Sequence, residues 1–305
     1  MKKLILILIP LILLGAYLYR PVTAPVAEES KAPVEQEERV LEPILSVRPA
    51  NPIQGEPVLV TVENIPAGSS IKSLTFNGKS LYIFDDNGKS SALIGIDLRQ
   101  TPGTYPITLT LSDGQVIKKN LTVGTRTVVK APLGIPEKLG GDTPEAEKEL
   151  INTLVEEGAI ISAVPTSNEK LWSGKFRLPL EGLVVVTDNY GYSRITGSSN
   201  ISHKGTDFRA ATGTSVYAMN EGIVRFAGYL RNYGHTIIID HGLGLHTIYM
   251  HLSERLVNLN DTVEKGRLIA RSGESGYTLG PHLHISIRIG GISIDPEKFM
   301  ALLGE

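Results

Sequence analysis

The stretch Pro281-His282-Leu283-His284-Ile285-Ser286-Ile287 decides how the second half of this chain is read. Side chains alternate along an extended strand. Leu283, Ile285 and Ile287 then face a core, while His282 and His284 share the opposite face. Two imidazoles side by side can reach one metal-centred site. A polar outer face on an exposed strand would give the same local pattern, so the pair needs company to mean more.

The surrounding sequence supplies it. All 7 histidines lie between His203 and His284, and the first two-thirds of the chain has none. From Trp172 onward the pattern is β and dense in glycine. Strands are expected at 182–186, 215–218, 222–227, 236–240, 247–251, 267–272 and 282–288, with no helix longer than two turns before the last residues. His203-Lys204-Gly205-Thr206-Asp207 reads as a loop or bulge in which Gly205 lets the backbone curve. Imidazole and carboxylate are both good zinc ligands. In Thr247-Ile248-Tyr249-Met250-His251-Leu252, His251 follows an alternating strand and is expected on the same face as Tyr249 and Thr247. His235, His241 and His246 flank turns and read as structural.

Taken in order, these elements resemble the lysostaphin-like metallopeptidases, family M23. The match runs from about Phe176 to Phe299. It includes His203-x-Gly-x-Asp207, Gly213-Thr-x-Val-Tyr-Ala218 and Ile239-Asp-His-Gly242. It continues through Tyr249-x-His-Leu252, Asp261-x-Val-x-Lys-Gly266, Gly280-Pro-His-Leu-His284 and Asp295-Pro296. The resemblance implies one Zn2+ held by His203, Asp207 and His284, with His251 and His282 as catalytic histidines. It implies a zinc endopeptidase that hydrolyses peptide crosslinks of bacterial peptidoglycan through a metal-activated water, with stem peptides or cross-bridges as partners. Arg194 and Tyr249 are candidate substrate-binding residues; Arg194 is shifted from the family's upstream arginine. Ile285-Ser286 stands where the family often has Phe-Glu, and Ala270 replaces a frequent glycine. The alternative is a non-catalytic envelope factor that activates another wall hydrolase. A lipoyl-type carrier, suggested by the glycine-rich pattern around Lys265, is the remotest reading.

The rest of the chain has a different grain. Residues 42–127 carry short strands and turn signals, such as Asn77-Gly78 and Asp113-Gly114, at the spacing of a sandwich. The Pro102-Gly-x-Tyr105 turn resembles immunoglobulin-like domains, and no histidine or convergent polar cluster suggests catalysis there. Residues 128–172 form a connector with one helix from about Thr143 to Glu157. Asp142 and Glu145 have capping-box spacing, and Gly158 ends the helix. That helix reads as a packing element or as a segment covering the active-site groove. The expected class is therefore mainly β: an N-terminal immunoglobulin-like β-sandwich, a short helical connector, and a lysostaphin-like antiparallel β-sheet peptidase domain over 173–305.

At the N-terminus, Met1-Lys2-Lys3 precedes an apolar run from Leu4 to Tyr19. No good cleavage site follows it. Residues 1–20 are thus expected to be a membrane anchor or signal segment, with the remainder in the cell envelope outside the cytoplasm. Residues 21–41, rich in Pro and Glu, read as a tether. The chain has no cysteine, which excludes disulfides and thiolate zinc sites. With 30 Lys and Arg against 32 Asp and Glu, the net charge is −2, and no basic stripe suggests nucleic acid.

Overall fold

The computed structural model describes residues 42–305. The expectations for residues 1–20 and 21–41 lie outside the described residues. Among the described residues no helix is long and apolar enough to cross a membrane.

Two four-stranded sheets open the described chain. One joins β1 (Ile44–Arg48), β2 (Pro57–Glu63), β6 (Lys89–Gly95) and β5 (Ile83–Asp86). The other joins β4 (Lys79–Ser80), β3 (Ile71–Phe76), β7 (Gly103–Leu111) and β8 (Val116–Val123). Alternation explains the packing. Val58, Val60 and Val62 of β2 and Ala92, Ile94 and Ile96 at β6 meet Leu109, Leu111 and Leu121 between the sheets. Leu59 and Leu93 point the other way and are buried as well, beside Phe84, in the core of the second half. A strand that reads as a nearly continuous apolar run is here buried on both faces.

The connector carries β9 (Lys130–Pro132) and α1 (Pro144–Ser162). Two expectations for this helix are corrected. Its N-cap is Thr143, whose hydroxyl accepts from the Ala146 amide, while the Asp142 carboxylate accepts from Ile135 instead. The helix also runs through Gly158 to Ser162. Ile161 is drawn onto a cluster with Leu230, Ile238, Ile248 and Met250, and that burial outweighs the cost of a helical glycine. Glu157 is buried and pins the helix: both carboxylate oxygens accept from the Asn232 amide, at 3.0 and 3.2 Å.

The second half is built on an antiparallel sheet. Its main path is β10 (Val186–Asp188), β13 (Thr206–Arg209), β20 (His282–Ile289), β17 (Leu245–Arg255), β16 (Gly234–Asp240), β15 (Gly222–Leu230) and β18 (Thr262–Val263). β14 (Ser215–Tyr217), β19 (Leu268–Ser272) and β21 (Ile292–Ile294) pair beside it. The hairpin β11 (Ser193–Thr196) and β12 (Ser199–Ser202) pairs with β9, and α2 (Pro296–Leu303) closes the chain. Strand formation begins later than expected at 182–186: β10 starts at Val186, and Leu183 is 93% exposed with nothing to pack on. Leu283, Ile285 and Ile287 enter the core with Phe176 and Phe299, as their alternation predicts.

Candidate metal centre

Register brings the key side chains together. In the β13–β20 pairing Asp207 stands directly opposite His284, and β17 flanks His284 on its other side through Met250. His203 lies in the short loop between β12 and β13. Its Nε2 lies 3.1 Å from Asp207 Oδ1 and 3.0 Å from His284 Nδ1. His284 Nδ1 is 2.7 Å from the same carboxylate oxygen. All three residues are buried.

The outer bonds fix which nitrogens are free. His203 Nδ1–H donates to the Asn189 carbonyl at 2.9 Å, so its Nε2 presents a lone pair inward. Ser286 Oγ–H donates to the Lys204 carbonyl at 2.8 Å, so Ser286 accepts from His284 Nε2–H at 2.9 Å. His284 Nδ1 is therefore also a free base. Two imidazole nitrogens and one carboxylate oxygen converge, each oriented by a partner behind it. This is the donor set and the outer shell that a zinc ion with an open coordination position takes.

Gly205 has a spatial reason rather than the conformational one expected. A Cβ there would lie 2.3 Å from His284 Nε2 and 2.4 Å from the Ile285 carbonyl. The loop can approach β20 this closely only because residue 205 has no side chain.

His251 and His282 complete the group. Their ring centroids are 4.8 Å apart, and His251 is 5.9 Å from the His284 ring. Each has its Nδ1 beside a carbonyl, Ser275 at 2.8 Å for His251 and Gly280 at 2.9 Å for His282. Each Nε2 is thereby left as a free base on the site side. His282 Nε2 sits 3.7 Å from Asp207 Oδ1.

The environment sets the charges. Burial, reinforced by His282 and His284, holds His251 well below the ordinary imidazole value. Burial likewise pushes His284 down to about 4, against the pull of Asp207. Burial opposes the charge on Asp207, but His203 and His284 beside it hold the carboxyl well below its usual range. Both conditions favour neutral rings around an ionised carboxylate, the state in which these residues can ligate a metal.

Two expectations change. The face-sharing of His251 with Tyr249 fails. Between the pairs His235↔Leu252 and Ile237↔Tyr249 the β16–β17 register shifts, and His251 adopts a left-handed φ of 60°. This bulge inverts the alternation, sending His251 to the site and Tyr249 to the core. Tyr249 is wholly buried, accepts from the Met219 amide, and cannot touch a substrate. Arg194, on β11, also reaches the site. Its guanidinium donates to Asp188 Oδ2 at 2.6 Å and to Asp207 Oδ2 at 2.5 Å, holding the carboxylate oxygen that the histidines do not.

His235, His241 and His246 stand apart from this group, as expected. His241 is fully buried, donates to the Glu221 carbonyl, and packs edge-on against Phe176. The residues that sequence reasoning missed are Asp188, Asn189, Ser275 and Gly280. Three act through backbone carbonyls, which leave no trace in side-chain identity.

Beside the metal centre runs a cavity of about 560 Å³. α1 walls it through Leu154, Gly158 and Ile161, and the sandwich contributes Asp97, Leu98 and Arg99. The Lys204 ammonium on its rim is pushed below its ordinary value, first by desolvation and then by the positive charges of Arg99 and Arg288.

Residues 201–296 match the model of Peptidase family M23. These residues form a Peptidase family M23 domain. A Haemophilus influenzae protein described as an uncharacterized metalloprotease is 38% identical over 132 residues, which cover 42% of this chain and 28% of that protein. Peptidoglycan DD-endopeptidase ShyC of Vibrio cholerae is 34% identical over 115 residues, or 37% of this chain and 26% of that protein. The chain thus spans about a quarter of the length of these relatives. A crystal structure from Pseudomonas aeruginosa, provisionally assigned to peptidase M23, matches with a TM-score of 0.58 at 22% identity. It covers 82% of this chain and 95% of that one, a likeness of fold that extends beyond the M23 domain.

Proposed function

We propose that this protein is a zinc-dependent endopeptidase that cleaves peptide crosslinks of bacterial peptidoglycan in the cell envelope, outside the cytoplasm. One observation carries the reading. His203, Asp207 and His284 aim three donor atoms at one point, and His251 and His282 present two free nitrogens beside it. The M23 domain and relatives named as peptidoglycan endopeptidases support the substrate.

Zinc, when bound by His203, Asp207 and His284, supplies Lewis acidity and lowers the pKa of a bound water. The chain's own residues supply the rest. Arg194 and Asp188 hold Asp207 in one orientation. His251 and His282, tethered through Nδ1, can accept a proton at Nε2 and donate it to the leaving amine. Burial keeps His251 unprotonated near neutral pH. α1 and the sandwich loop narrow the approach, which suits an extended peptide.

The test is digestion of purified sacculi by the zinc-loaded chain, with the new peptide termini identified by mass spectrometry. Release of fragments with free ends at a crosslink is expected. No release at full zinc occupancy would overturn the reading. His284→Ala should lose zinc, whereas His282→Ala should keep zinc and lose at least about a hundredfold in rate, the usual scale of one general acid–base group. Zinc content by atomic absorption separates the two outcomes.

A further inference from the structure

The cavity beside the metal centre has an uneven charge. Its lining includes Arg99, Arg194, Lys204 and Arg288, and the one acidic side chain among the lining residues is Asp97. Arg194 is already committed to Asp188 and Asp207. The other three cations come from three separate parts of the chain: the sandwich, the loop after His203, and β20. Among the described residues Arg99 pairs with Asp97 at 3.6 Å, and its side chain is 80% exposed. Arg288 donates to a neutral partner, Ser162 Oγ at 3.2 Å, and its buried Nε has no partner. Among the described residues the cavity thus gathers Arg99, Lys204 and Arg288 against the single carboxylate of Asp97.

We propose that Arg99, Lys204 and Arg288 form a carboxylate-binding subsite that selects peptides carrying a free acidic group a few residues from the bond to be cut. Distance along β20 sets the spacing. His284, Ser286 and Arg288 share one face of the strand, so Arg288 lies roughly 14 Å from His284 at about 3.4 Å per residue. An extended peptide whose scissile bond sits at the metal centre covers that distance in about four residues. A guanidinium offers a planar pair of donors that matches a carboxylate, and partial exclusion of water strengthens the bond. The sandwich, which contributes no group to the metal centre, takes part in recognition through Arg99. This inference rests on the peptidase reading for the identity of the peptide, though binding itself can be measured without turnover.

The experiment uses the zinc-loaded full chain and an uncrosslinked stem peptide with free carboxyl groups, compared by calorimetry with the same peptide amidated. Wild-type protein should bind the free acid about tenfold more tightly than the amide, the scale of one partly screened charge-assisted hydrogen bond. Arg99→Glu, an exposed position where folding is not at risk, should abolish that preference, and Arg288→Gln should reduce it. With a crosslinked substrate, Arg99→Glu should raise KM and leave kcat unchanged. Equal affinity of the wild type for acid and amide, or an undiminished preference in both variants, would overturn the subsite. Failure of the wild type to cut any crosslinked peptide would overturn the peptidase reading and leave the binding result standing.

Discussion

Ser286 shows how much one side chain can decide. It has no place among the metal-directed donors, yet its hydroxyl accepts a hydrogen bond from His284 Nε2–H and donates one to the Lys204 carbonyl. A ring that lost this partner would be free to rotate or to present the wrong nitrogen. Ser286→Ala should weaken zinc binding about 10–100-fold, as loss of an orienting partner does elsewhere, with an unchanged circular dichroism spectrum. Competition with a chelator of known affinity would measure it, and a zinc affinity equal to wild type would count against the role. Sequence resemblance marks residue 286 as a departure from the family's frequent glutamate. What a serine does in that position depends on Lys204, and only the fold shows that contact. Arg194 and Tyr249 divide on similar lines. Both were candidates for touching substrate: the guanidinium holds Asp207 and lines the cavity, whereas the phenol sits in the core.

At the scale of elements, legibility followed periodicity. The alternation in 282–288 correctly sorted two histidines from three core aliphatics, because a regular strand leaves no other choice. β17 was misread where it breaks its own period. A bulge at Met250 and His251 adds a residue to one strand, and histidine carries no marker of a left-handed backbone as glycine would. The end of α1 was misread because Gly158 signals termination locally, whereas Ile161 has a distant apolar cluster to join. The partnership of Asp207 with His284 spans 77 residues and could come only from resemblance, not from local pattern. Gly205 ties these elements together. Gly205→Ala would push a methyl against the His284 ring and the β20 backbone, neither of which can yield without breaking the β13–β20 pairing. Loss of zinc and a destabilisation of about 2 kcal/mol or more are expected, since overpacking costs 1–3 kcal/mol. Denaturant melts with and without zinc would show both, and a wild-type midpoint would refute the argument.

For the molecule as a whole, buried histidines set a limit on acid stability. Burial pushes His241 down to about 4, so the folded state keeps it neutral while the unfolded chain binds a proton near 6.5. Between those values the unfolded state holds more protons, and folding stability falls as pH falls. The contribution is intact above pH 6.5 and is lost on descent toward 4. His241→Gln should therefore show a shallower fall in melting temperature across this window than the wild type, both measured in chelator so that zinc release does not contribute. Parallel slopes would exclude His241 as a source.

The sandwich and the M23 sheet do not merely adjoin. Leu59, Phe84 and Leu93 are buried in the same cluster as Trp172 and Phe176, with the Phe84 and Trp172 rings edge to face at 5.0 Å. Arg126 and Asp295 pair at 2.8 Å across the same boundary. The practical consequence concerns how the protein can be cut. A fragment beginning in the connector would carry an oily wound where the sandwich had been, and would be expected to precipitate on expression while residues 42–305 together stay in solution. Scanning calorimetry of the intact protein should show one transition, because Leu59, Phe84 and Leu93 of the sandwich are part of the second half's interior. Two resolved peaks, or a well-behaved soluble fragment, would mean that the halves are more self-sufficient than their shared packing implies.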